Sequence, residues 1–418
     1  MRSRRISDMV DGERATLAGR LCRAAPNGGL RLRDETGEVP VRLAMGAHLI
    51  DVGDIVEVVG IWMPPDFAAD RVRVLAPCQG DSVVPPSEAR TRNLRTRSRI
   101  LSALRKGMEA RGYAEVETPL LVRCPGMEPH LTAFETDYLA DGERRRLYLP
   151  TSPEYAMKRL LACGFERIYQ ICKAFRDEVW GPQHNPEFTI LEWYRAYADY
   201  TDIMGDAEAL VHGVTRAVLG TTYIGCRGCE VDVTPPWERL SVREAMSRHA
   251  GIEGDPFSDR QAFVAEARQR GYSTVGEGDP AEVAFHKVFL DGVERHLGRE
   301  RPTILLDYPA PMAALAKRKP EAPDLAERFE IYIAGVELAN AFTELNDPEE
   351  QRGRFEAEAA QRRTDGSREY PVDEVFLSSM ASGIPPSGGI ALGVDRLVML
   401  LTGAERVQDV IAFPFPEL

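Results

Sequence analysis

The chain lacks any apolar run near the roughly 18–20 residues that cross a bilayer, so no membrane-spanning helix is expected. Its first residues, MRSRRISDMV, are basic but lead into no apolar stretch or small-residue cleavage site, and do not read as a secretory signal. Cysteine is scarce: seven residues, an odd number, scattered over 418. That excludes a disulfide framework and points to a reducing cytoplasm. Positive charge is in deficit, with 52 Lys and Arg against 65 Asp and Glu and a net charge of -13. Bulk non-specific DNA binding is therefore disfavoured, although a local basic patch is not. Repeats and low-complexity tracts are missing too. What remains is 44% hydrophobic and 28% charged residues, over a length that supports a substantial core and more than one domain.

Residues 13–78 hold five short alternating runs: ATLAGRLC, LRLRDE, VPVRLAM, DIVEVVGIWM and RVRVLAPC. Asn27-Gly28-Gly29, Thr36-Gly37 and Val52-Gly53-Asp54 separate them as turns. Strands this short and close, without a long helix, predict a small barrel of the oligonucleotide/oligosaccharide-binding (OB) type, with another small barrel or sandwich as the alternative. We expect an OB-like domain at 1–85, a linker at 86–95 and a larger domain at 96–418. Arg90, Arg92, Arg95, Arg97 and Arg99 form a basic run that suits a solvated helix face or a contact with RNA phosphates. Ile100, Leu101, Leu104 and Met108 then mark one side of a helix over Thr96–Arg111. Cys226-Arg-Gly-Cys229 lacks the second ligand pair of a zinc site and reads as a surface turn.

Three stretches carry chemistry. Gly112–Pro119 is apolar with a terminal proline and is unspecific alone. Phe175–Tyr194, FRDEVWGPQHNPEFTILEWY, reads as strand, polar loop and strand. Arg176 can fork two hydrogen bonds onto a phosphate, and Glu178 shares its face two residues on. In Gly389-x-Ala391-x-Gly393-x-Asp395-Arg396, small residues leave one strand face open to a flat ligand, and Arg396 opens a helix, where anions are favoured. Two arginines at the ends of a polyphosphate would stabilise in-line displacement at its α-phosphorus. Taken singly, Arg176 suits a structural ion pair and the last stretch ordinary helix–sheet packing.

GYAEVETPLL, FRDE…HNPEF and GGIALGVDR resemble motifs 1, 2 and 3 of class II aminoacyl-tRNA synthetases. TSPEYAMKRLL, HNPEFTILEWY, GVELANAFTEL and GIALGVDRLVMLLTGA are similar to the lysyl group, and most of all to its paralogue, the elongation factor P lysine ligase family. The resemblance covers about residues 93–418. It implies an α+β fold: a six-stranded antiparallel sheet core flanked by helices, here preceded by the OB-type barrel. It also implies ATP and magnesium (Mg2+) as cofactors, a homodimer and a cytoplasmic location.

By position, the resemblance gives Arg176 and Arg396 the catalytic role. ATP would meet Arg176, Glu178, His184, Asn185, Phe188, Glu337, Leu338, Gly393 and Arg396. The amino acid would meet Ser152, Glu154, Glu192, Tyr194, Asn340, Glu344 and Ala391, and a metal would be held by Glu337 and Glu344. A dicationic substrate needs fixed carboxylates, because an unpaired buried ammonium is costly.

The expected activity is activation of lysine or β-lysine as the aminoacyl-adenylate and transfer to a lysine side chain of elongation factor P. The in-class alternative is a lysyl-tRNA synthetase, or another tRNA-dependent lysyl transferase, acting on tRNA-Lys. A catalytically dead nucleic-acid-binding module is the reading from another class. The barrel, Ala196–Tyr200 and Glu344–Asp347 resemble the tRNA branch. Ala391, where the synthetases usually carry glycine, and Pro125–Thr136 resemble the protein-acylating branch. Thr343 departs from that branch, which usually carries histidine there.

Overall fold

The computed structural model describes residues 3–23, 30–43, 50–78, 87–126, 131–313 and 315–418. The turn at 27–29, the proline pair at 85–86 and residues 127–130 of the 125–136 segment lie outside them. The chain divides into two compact units, Met1–Arg92 and Asn93–Leu418.

In the first unit, β1 (Arg14–Arg23), β2 (Leu30–Asp34), β3 (Gly37–Leu43), β4 (Ile55–Met63) and β5 (Asp66–Ala76) close into a barrel in the order β1-β2-β3-β5-β4. Alternate side chains fill it: Leu17, Leu21, Leu32, Val56, Val58 and Phe67 are fully or nearly fully buried. Gly60 is required by that closure, because a Cβ there would run into the Ala68 carbonyl. This is the OB-type barrel expected from the five alternating runs.

Helix α1 spans Glu88–Glu109 and begins inside the stretch read as linker. The reason is local: Ser87 Oγ accepts the Arg90 N–H at 3.1 Å and caps the first turn. The arginine run is also not wholly a surface face. Arg97 is half-buried, paired with Asp395 and donating to Thr189 Oγ1 at 2.7 Å, and Arg99 donates to the Val218 carbonyl at 2.5 Å.

The second unit is built on one sheet. Its strands are β6 (Ala114–Glu115), β7 (Arg167–Phe175), β8 (Glu187–Ala196), β9 (Glu238–Ser241), β10 (Thr303–Pro309), β11 (Ala322–Ile333), β12 (Val336–Thr343) and β13 (Ser387–Gly393). They lie in the order β9-β10-β11-β12-β13-β8-β7-β6, with Arg318–Lys319 pairing with β11 off this path. The central six, β10 to β7, are all antiparallel; the two edge strands pair parallel. The expected six-stranded antiparallel core is therefore present, with β6 far shorter than the apolar run Gly112–Pro119 suggested.

Period-two alternation divides the sheet's side chains between its faces. Leu191, Trp193, Ile331, Ala341 and Leu392 pack with α1, α3 (Tyr200–Leu219) and the helix Val394–Thr402 in one large core. The alternate residues face the other way and line a cavity. Asp395 fastens the layers, accepting the Thr189 N–H at 2.8 Å while pairing with Arg97. The Cys226/Cys229 pair closes a hairpin whose two turn residues, Arg227 and Gly228, have φ of 48 and 73°. Its thiols are thus held by a tight turn.

Candidate active site

The strand register builds the site. Gln170, Glu192, Ala391, Asn340 and Glu330 are successive partners across β7, β8, β13, β12 and β11. The next row on the same face is Tyr194, Gly389, Phe342 and Arg328. Small residues on β13, between larger ones on β8 and β12, open a trough. With α2 (Glu154–Ala162) and the β7–β8 loop it encloses a cavity of about 630 Å³.

Two arginines stand at one end. Arg396 opens the last long helix; its Nη1 donates to the Glu337 carbonyl at 2.8 Å and to Glu337 Oε2 at 3.1 Å. Its Nη2 donates to His184 Nε2 at 3.2 Å, which makes that nitrogen the acceptor. Burial, and then the Arg396 charge, lower the His184 pKa, so the ring is neutral at pH 7. Burial alone would raise the Glu337 carboxyl, but the guanidinium of Arg396, with Arg176 and Arg328, brings it below the usual range. Arg176 lies over the Phe188 ring at 5.1 Å, and its buried Nε has no hydrogen-bond partner among the described residues. An orphaned guanidinium N–H beside a second arginine is what an anionic ligand would satisfy.

Carboxylates stand at the other end. Glu192 is 1% exposed; it accepts from Ser152 Oγ at 2.5 Å and from the Tyr194 hydroxyl at 2.9 Å. Ser152 takes the Glu154 N–H at 3.0 Å and gives its own proton to Glu192. Glu154 and Glu344 share the ammonium of Lys158. Burial pushes the Glu344 carboxyl up to about 8, with Lys158 opposing and Glu154 and Glu192 adding to the rise.

The structure thus brings Ser152, Glu154, Arg176, Glu178, His184, Asn185, Phe188, Glu192, Tyr194, Glu337, Leu338, Asn340, Ala391, Gly393 and Arg396 around one cavity. Glu344 is the exception: it is 1% exposed and does not border the space. It also cannot share an ion with Glu337, since seven residues of strand separate them by roughly 23 Å. The expected metal pair reduces to Glu337.

These motifs and this register decide the family, and comparison with known proteins agrees: residues 85–417 match the family described as tRNA synthetases class II (D, K and N). The chain belongs to that family. A lysine–tRNA ligase of Pelotomaculum thermopropionicum is 43% identical over 329 residues, covering 76% of this chain and 62% of that protein. One of Moorella thermoacetica is also 43% identical over 329 residues, with 76% and 64% covered. The chain thus spans less than two thirds of either relative. A lysine–tRNA ligase of a Synechococcus species is 36% identical over 442 aligned positions, covering 96% of this chain and 88% of that protein.

Within this synthetase fold, sequence reasoning missed the wall supplied by β11. Arg328 donates through Nε to Asn340 Oδ1 at 3.0 Å and through Nη2 to Glu330 Oε1 at 2.7 Å, and it lies 4.4 Å over the Tyr308 ring. Because Arg328 occupies Oδ1, the Asn340 amide N–H groups are left for the cavity. Glu330 also accepts the Tyr308 and Tyr332 hydroxyls, both at 2.6 Å. Glu294 is a further carboxyl at the arginine end, held above its usual range by burial and by Glu337 and Glu330. A signal for Arg328 and Glu330 does exist: they alternate with Phe329 and Ile331, the pattern of a strand with one polar face.

Among the described residues no group of three or more Asp, Glu, His or Cys could hold a metal ion. This donor set fits magnesium only in the manner usual beside nucleotides, with one or two carboxylates and the rest phosphate and water.

Proposed function

We propose that this synthetase activates lysine with ATP as the aminoacyl-adenylate and transfers it to tRNA. The observation that carries the first half is the division of one cavity: Arg176 and Arg396 at one end, Glu154 and Glu192 at the other. A triphosphate suits the guanidinium end and a diamino acid the carboxylate end. Between them Asn340, oriented by Arg328, donates to the substrate carboxylate. The bound carboxylate attacks the α-phosphorus, its new P–O bond forming as the bond to the bridging oxygen breaks and pyrophosphate leaves. Arg176 and Arg396 hold the charge that gathers on the phosphoryl oxygens, and no side chain acts as nucleophile. Magnesium, with Glu337 as its protein carboxylate, would supply further charge neutralisation on the phosphates. In the second half a ribose hydroxyl attacks the lysyl carbonyl and AMP leaves.

The acceptor is supported by the relatives: lysine–tRNA ligases match this chain, one of them over 96% of its length, barrel included. Lysine-dependent ATP–pyrophosphate exchange tests the first half; no exchange with α- or β-lysine rejects it. A one-pot transfer assay with tRNA and elongation factor P tests the second, and label on tRNA is expected.

One observation favours the protein-acylating reading. The Ala391 methyl borders the cavity, paired in register with Glu192 and Asn340. Under that reading Ala391→Gly improves use of α-lysine over β-lysine by about tenfold, the scale of one methyl group. An unchanged ratio of kcat/KM for the two isomers removes the methyl from any role in their choice. Label on elongation factor P alone would replace tRNA as the acceptor.

A further inference from the structure

Lys158 is the least expected residue of the cavity's surroundings. It stands on α2, one turn after Glu154, with a side chain only 1% exposed. An ammonium removed from water to this extent is rare and needs paired charge. Its Nζ lies 2.5 Å from Glu154 Oε1, is also paired with Glu344 Oε2, and sits 5.3 Å from the Phe342 ring centre. Burial alone would lower its pKa, but the two carboxylates outweigh that and raise it, so the side chain stays charged at neutral pH. Glu344 is held the same way from one side only: its buried Oε1 has no hydrogen-bond partner among the described residues and lies against Gly389.

We propose that Lys158 is a positioning residue for amino-acid recognition, an internal ammonium that ties Glu154 to Glu344 and sets the charge that the substrate's ammonium groups meet. The inference rests on the diamino-acid reading above. Glu154, Glu192 and Glu344 bring three carboxyl groups to this end, and Lys158 stands between two of them. Without Lys158, Glu154 and Glu344 lose the ammonium that links them, and Glu154 loses its counter-charge in a buried setting. Glu154 borders the cavity, so its displacement moves an oxygen that the substrate meets. Arg176 and Arg396 sit on other elements and keep the nucleotide end as it is.

The sign of two substitutions separates positioning from simple space-filling. Lys158→Met conserves volume and removes the charge; Lys158→Arg strains the volume and keeps a forked cation for both carboxylates. In lysine-dependent ATP–pyrophosphate exchange, Lys158→Met is expected to raise the lysine KM at least tenfold with the ATP KM within twofold, and Lys158→Arg to recover part of that loss. Methionine performing better than arginine, or lysine and ATP KM rising together, overturns the proposal. If Lys158→Met fails to fold, Lys158→Met with Glu344→Gln carries the test, because that pair leaves only Glu154 without its counter-charge and not two facing carboxyl groups. A lysine KM in the folded double variant raised above that of Glu344→Gln alone supports the tie, and a KM equal to that of Glu344→Gln overturns it. A wild-type chain that exchanges with neither lysine isomer rejects the proposed function and this inference with it, whereas exchange by wild type with an unaltered Lys158→Met rejects this inference alone.

Discussion

Replacing Arg396 by alanine is expected to cut lysine-dependent ATP–pyrophosphate exchange by about 10³-fold, the upper range for losing one preorganised donor to a developing oxyanion. The guanidinium does several things at once. It supplies charge at a helix start where free N–H groups already favour an anion. It holds Glu337 through two hydrogen bonds from Nη1, and it fixes which nitrogen of His184 accepts. Alanine removes all of these, leaving the half-buried Glu337 without its main counter-charge and His184 with only burial and Arg176 to lower its pKa. Arg396→Lys keeps a charge but not the fork, so an intermediate loss of roughly 10²-fold is expected. The check is kcat/KM for ATP at saturating lysine, with the melting temperature recorded for each variant. Exchange within fivefold of wild type in a folded Arg396→Ala protein would remove Arg396 from the reaction.

The guanidinium end of the cavity is legible in the amino-acid sequence because its parts are neighbours along the chain. Arg176, Glu178, His184 and Phe188 fall within one hairpin, and hairpin register follows from its loop. Arg396 follows directly on the small-residue strand that forms the floor. The carboxylate end is harder, since its residues meet only through pairing of strands far apart in the chain. Arg328 reaches Asn340 because β11 lies beside β12, and nothing in either run alone states that register. Lys158 is hidden for another reason: a lysine in an amphipathic helix ordinarily points to water, and only the arrival of Glu344 from the end of β12 makes a buried ammonium tolerable. The same long-range pairing reverses the reading of Arg97, a member of a basic run that turns inward to Asp395. The start of α1 escapes through a short-range effect, the Ser87 cap, which follows prolines that read as linker.

Two adjacent glycines on β13 allow the proposed site to be tested against the fold. At Gly389 a Cβ would lie 2.5 and 2.7 Å from Tyr194 ring carbons and closer still to Glu344 Oε1. Neither neighbour can retreat, as Tyr194 is 3% exposed with its hydroxyl on Glu192, and Glu344 is paired with Lys158. The methyl therefore displaces Tyr194 and Glu344, and under the proposed function Gly389→Ala is expected to raise the lysine KM about 5- to 150-fold, roughly the 1–3 kcal/mol of an overpacked site. The ATP KM should stay within about twofold, since Arg176 and Arg396 lie at the other end. At Gly388 the side-chain direction reverses, as strand alternation requires, and a Cβ would meet Ile203 at 2.6 Å and the Asp199 carbonyl at 2.8 Å. Gly388→Ala thus strains the packing of α3 on the sheet, and should lower the melting temperature without a selective change in lysine KM. If the two substitutions have the same kinetic effect, the β13 floor is only structural and the amino acid binds elsewhere. If Gly389→Ala alone loses lysine and keeps ATP, the cavity's carboxylate end is where the amino acid is read.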